Sequence, residues 1–178
     1  MAASTSSPPK TRLPLRLRLS QHPGHDRLDG GWWPQSRDLA VELADLVEHF
    51  PTDRPRIQRA LFSRPDWDDR PHRVPLAHGY LKAGSFPNDD THLIQLRTSD
   101  HRMLHLLVVP PGFTHGQGEE ALLASATPGN RHSAASLLAE VLDGPDEDAR
   151  DRWSDEGGAW WDPEPLAPSF RTSGPGVG

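Results

Sequence analysis

The run Met103–Val109 sets the tightest constraint on the fold. Six of its seven residues are apolar, His105 alone interrupts them, and Pro110-Pro111-Gly112 ends the run at once. A strand turns successive side chains to opposite faces, so a run that is apolar at both parities must be covered on both sides. It is far short of the roughly 20 residues that a membrane-spanning helix needs, and no other stretch approaches that length. The chain therefore has to build a sheet with this strand inside it and helices over it.

Further strands follow from period-2 patterns and breakers. His92–Arg97 precedes the apolar run across the polar connection Thr98–Arg102, which is of hairpin length. Arg56–Phe62 reads as another strand, and Val74-Pro75-Leu76 and Gly79–Ala83 as two short ones. Near the N-terminus Leu13, Leu15, Leu17 and Leu19 alternate with Arg12, Arg16 and Arg18, giving one buried and one basic face. Pro14 argues for an edge strand or for a strand that starts after it.

The helices are marked by caps and by a 3.6-residue period. Leu39, Leu43, Leu46, Val47 and Phe50 share one side of a helix over 36–50, while Asp38, Glu42, Asp45 and Glu48 fall away from it. Ser36 is the expected N-cap and Pro51 the stop. Glu119–Ala126 and Ser133–Leu142 supply two more, broken by Pro128-Gly129 and by Asp143-Gly144-Pro145. The expected class is α+β: an antiparallel sheet of about five or six strands, covered by one N-terminal and two C-terminal helices.

One domain is the natural count for 178 residues. We place it at 12–142, between a Ser/Thr/Pro-rich tail over 1–11 and an acidic, tryptophan-bearing tail over 143–178, both expected to be disordered. Lys and Arg number 19 against 25 Asp and Glu, a net charge of −6, which argues against a general binder of nucleic acid or anionic membrane. The absence of cysteine removes disulfides and thiolate chemistry, and the N-terminus carries no signal-like apolar region, so a cytoplasmic protein is expected. No cofactor motif is present. The loop holding His22, His25 and Asp26 has no third ligand at a motif spacing, and His101 lies in the turn before the strand that carries His105, so no metal is expected either.

The candidate site lies in Asp29-Gly30-Gly31-Trp32-Trp33-Pro34-Gln35-Ser36-Arg37-Asp38-Leu39, together with the acidic loop Pro65–Asp69. Trp32 and Trp33 offer either packing or a stacking platform. Arg37 falls at a helix start, where a cation is disfavoured, and calls for a partner: a bound anion, or Asp29, Asp38 or Asp68. Trp67 and Asp68 complete the set. Gly30 and Gly31 permit close approach or positive φ.

The tryptophan segment, Trp67-Asp68 and Leu106-Leu107-Val108-Val109-Pro110-Pro111 together resemble a family of short actinobacterial proteins of unknown function, over about Leu13 to Leu142. That resemblance implies one compact domain and no particular activity. The reading is a non-enzymatic binding or accessory module for a small molecule or a protein, with its site at Trp32, Trp33, Arg37, Trp67 and Asp68. The rival is a small hydrolase or isomerase in which Asp68 or Asp66 works with His92 or His105 as an acid–base pair. A third reading sets the Arg12/Arg16/Arg18 row against nucleic acid or against the acidic tail.

Overall fold

In chain order the elements are β1 (Leu17–Leu19), β2 (Gly30–Trp32), α1 (Leu39–Glu48), β3 (Ile57–Ser63), β4 (Arg73–Leu76), β5 (Gly79–Phe86), β6 (Leu93–Thr98), β7 (Met103–Val108), α2 (His115–Ala126) and α3 (Ala134–Asp143). This is a computed structural model, and it describes residues 12–86 and 91–144; the tails expected at 1–11 and over nearly all of 143–178 lie outside them. The strands form one sheet in the order β1-β2-β7-β6-β3-β5-β4. The apolar strand β7 is interior, as its two faces require.

The α+β class holds, but the sheet has seven strands and is mixed rather than antiparallel, with β2–β7 and β3–β5 parallel. The extra strand is β2. Its sequence Gly-Gly-Trp carries no alternation, and it is a strand because β1 and β7 pair with it on either side. The parallel pairs follow from the connections. α1 carries the chain from β2 to β3 across the sheet, and β4 takes the outer edge before β5 returns between β4 and β3.

Two apolar clusters lie on opposite faces of the sheet. On one face α1 packs Leu39, Leu43 and Leu46 against Trp32, Phe62, Ile94, Leu96, Leu106 and Val108. On the other, Leu137, Leu138 and Val141 of α3 and Ala121 and Leu122 of α2 cover Trp33, Leu107, Val109 and Leu93. The α2 contacts fall on β1, β2 and β7. That helix lies close because glycine permits it: a Cβ on Gly31 would come within 2.4 Å of Ser125 Oγ. Gly30 has φ +151°, and a Cβ there would meet the Arg18 carbonyl oxygen at 2.2 Å.

The helix ends differ from the sequence reading. α1 is capped by Asp38, whose side chain accepts from the Val41 N–H, and Ser36 lies outside the helix. α2 begins at His115, four residues ahead of Glu119, because Thr114 and Gln117 form a reciprocal capping box. The strand foreseen over 13–19 is regular only at 17–19.

Candidate functional site

The tryptophan segment and the acidic loop do meet. The rings of Trp32 and Trp67 lie 5.5 Å apart at 30° in the α1-side core, whereas Trp33 points to the opposite face, where its indole N–H donates to the Pro110 carbonyl. All three indoles are buried, at 1%, 3% and 4% exposure for Trp32, Trp33 and Trp67. Among the described residues the buried Trp67 Nε1 has no hydrogen-bond partner.

Around them the loop clamps the start of α1. Arg37 donates from Nε to Asp68 Oδ1 at 2.9 Å and from Nη2 to the Pro65 carbonyl at 2.9 Å, and its own carbonyl accepts from the Asp68 N–H. The Leu39 N–H donates to Asp69 Oδ1, so Asp69 serves an otherwise unpaired donor at the helix start. Of the partners weighed for Arg37, Asp68 is the one it has.

Glu42 overturns its sequence assignment. It is 2% exposed rather than on an outer acidic face. Its carboxylate accepts from Arg12 Nη2, the Gln35 N–H and the Ser36 hydroxyl at 2.9, 3.0 and 2.7 Å. Wheel position alone missed it; the signal was the donor cluster Gln35-Ser36 just before the helix. The Arg12/Arg16/Arg18 row is likewise divided. Arg12 serves Glu42 and Asp45, Arg16 lies 3.7 Å over the Trp33 ring and donates to the Pro34 carbonyl, and Arg18 is exposed.

Two buried aspartates each pair with a histidine. Asp66 sits 3.2 Å from His92 Nδ1 and accepts from the His92 N–H, with His92 at φ 63°. Burial pushes the Asp66 carboxyl above its ordinary pKa, although His92, Arg37 and Ser63 each pull it down. The second pair is Asp29 and His105, in which Asp29 accepts from the N–H groups of Gly24 and His105 and lies 3.6 Å from the imidazole. Burial alone would raise the Asp29 carboxyl, but the His105 side chain and these backbone donors outweigh it and hold it below the ordinary value. Asp29 borders a hollow of about 420 Å³ with Ser20, Arg54, Thr98, Asp100 and Arg102. Asp68 meets neither histidine. Its partner is Arg37.

The sheet itself carries a feature that no single stretch reveals. Among the described residues α2 and α3 cover the β1-β2-β7 half of their face and reach Leu93 of β6, while no helix packs over the rest of the β6-β3-β5-β4 half. The register there aligns Arg73 with Lys82, Lys82 with Arg59 and Arg59 with Arg97. All four are exposed. Their strand neighbours Val74, Leu81, Ala83, Ala60 and Leu96 are buried on the opposite, α1 face. The result is one unbroken cross-strand row of four cations, about 14 Å long at the usual strand spacing of about 4.8 Å. Among the described residues none of the four has a carboxylate partner: Arg73 stacks on the Tyr80 ring at 4.7 Å, and Arg97 approaches the His101 imidazole at 3.4 Å. No acidic side chain shares this face of the four strands. Arg59, Lys82 and Arg97 fall within strands read from the sequence, whereas Arg73 lies one residue outside the strand foreseen at Val74-Pro75-Leu76; their alignment depends on the parallel β3–β5 pairing and on the bulge between Ile57 and Arg59.

An α+β protein with one sheet face closed by α1 and the other half open is thus defined. The model of a family of unknown function (DUF5994) matches residues 16–125, from just before β1 to the last turn of α2, and the chain belongs to that family. No curated protein and no solved structure matches it. Among the described residues no helix is long and apolar enough to cross a membrane.

Proposed function

We propose that the chain is a binding module whose ligand is an extended acidic polypeptide, held across the open half of the sheet. The observation that carries this is the Arg73–Lys82–Arg59–Arg97 row. Like charges placed directly opposite one another in a sheet are destabilising, by up to about 1 kcal/mol per pair. A fold that keeps three such pairs in line, with no carboxylate among them, stores a repulsion that a bound anion relieves. An extended peptide spaces alternate side chains at about 7 Å, so a segment lying along the row of about 14 Å lays about three carboxylates over its four cations.

A polypeptide fits better than nucleic acid. The whole chain is acidic, and the exposed ring of this face, Tyr80, is occupied by Arg73, leaving little platform for base stacking. The turn formed by Trp32, Trp33, Arg37, Trp67 and Asp68 remains the second proposal, favoured by the unpartnered Trp67 Nε1. It ranks lower because the indoles are buried and Arg37 is already engaged. A cysteine-free chain suits a reducing cytosol, and we place it there.

Isotope-labelled full-length protein titrated with a decaglutamate peptide at low salt tests this reading. Amide shifts concentrated in β3, β5 and β6, abolished in Arg59→Gln/Arg97→Gln, are expected. Shifts centred on Arg37 and Trp67 would move the site to the tryptophan turn. Shifts only with an oligonucleotide, or with neither ligand, would overturn the proposal.

A further inference from the structure

Resting on that reading, we infer that the resident occupant of the basic row is the chain's own acidic segment, residues 145–178, so that an outside acidic partner must displace it. Those residues hold eight Asp and Glu against three Arg, a net of −5, out of −6 for the whole chain. The remainder is therefore almost neutral. The row is a local run of positive charge and the segment a net negative one, so the two are complementary.

The fold sets them near each other. The described chain leaves α3 at Gly144. That helix belongs to the cluster on the same sheet face as the row, a cluster that reaches Leu93 of β6 and Phe86 of β5 at the border of the open half. Asp146, Glu147 and Asp148 follow within four residues of this exit. Chain in extended form covers about 3.3 Å per residue, so ten residues reach about 33 Å, more than twice the length of the row. A tether of this kind holds the segment at an effective concentration on the order of millimolar, enough to give a weak electrostatic contact substantial occupancy. Trp153, Trp160 and Trp161 are interleaved with the acids and can lie over arginine side chains or over Leu61, the half-buried apolar residue beside Arg59 on this face. The family match ends at Ser125, so this regulation is a property of the present chain rather than of the matched region.

Because the protein contains no cysteine, Ser154→Cys accepts a single nitroxide label in the full-length chain. Paramagnetic broadening should concentrate on the amides of Arg59, Lys82 and Arg97. It should recover at about 1 M salt, where the screening length is about 3 Å, on addition of decaglutamate, and in Arg59→Gln/Arg97→Gln. Broadening that persists in all three conditions, or that falls on Arg12, Arg16 and Arg18 instead, overturns the inference. An unbroadened row that still shifts with decaglutamate overturns it too, but leaves the binding reading standing. An unbroadened row that ignores the peptide overturns both.

Discussion

Gly118 lies flush against the Trp33 ring: a Cβ at position 118 would sit 2.2 Å from Trp33 Cζ3 and 2.3 Å from Cη2. The indole cannot yield easily, since Arg16 covers it at 3.7 Å and its N–H is bonded to the Pro110 carbonyl. Alanine ordinarily favours a helix over glycine by about 1 kcal/mol, whereas overpacking costs about 1–3 kcal/mol. Gly118→Ala is therefore expected to destabilise the fold by up to about 2 kcal/mol. Chemical denaturation measures this, and a variant more stable than the parent would refute the contact.

Glu42 unites Arg12, Gln35 and Ser36 beneath the start of α1. Removing a buried acceptor leaves its donors dry, and breaking a fully buried ion pair costs about 3–5 kcal/mol. Arg12 is about one-third exposed, at 32%, so Glu42→Ala should cost about 2–3 kcal/mol, less than a fully buried pair. Glu42→Gln, which keeps an acceptor, should lose less. Equal melting temperatures for Glu42→Ala and the parent would contradict this role.

The depressed Asp29 carboxyl links stability to acid. Its folded value lies below the unfolded one, so its contribution is complete above the ordinary carboxylate pKa of about 3.9 and is lost as pH falls through the folded value. Asp29→Asn should be less stable than the parent at pH 7, and the gap should close as pH drops below about 4. Urea unfolding at pH 7 and pH 3 checks the sign. A gap that widens in acid would contradict it.

The Arg37–Asp68 pair has exposures of 49% and 72%, and exposed pairs contribute about 0–1 kcal/mol. A double-mutant cycle of Arg37→Ala and Asp68→Ala is expected to return a coupling within that range. A larger value would mean that the clamp on α1 is a main support of the fold.

The parts of this molecule legible in the sequence are those with a local cause. β6, β7, β3 and α3 follow from periodicity and breakers, and the α+β class follows from them. β2 was not legible, because Gly30-Gly31-Trp32 becomes a strand only between β1 and β7. The sheet was larger and more mixed than alternation can reveal, since pairing direction depends on which strands become neighbours. At the candidate site, the meeting of Trp32 with Trp67 and of Arg37 with Asp68 was within reach of residue chemistry. The cation row was not, because residues 59, 73, 82 and 97 come from four strands and align only through register.

The most direct test of the central claim is the melting temperature of the full-length protein and of Arg59→Gln/Arg97→Gln at low salt, with and without decaglutamate. If the row is a ligand surface, the parent and the variant both melt cooperatively without peptide, since the four side chains are exposed and take no part in the core. Decaglutamate then raises the melting temperature of the parent alone. A peptide that stabilises both proteins alike, or neither, would contradict the account.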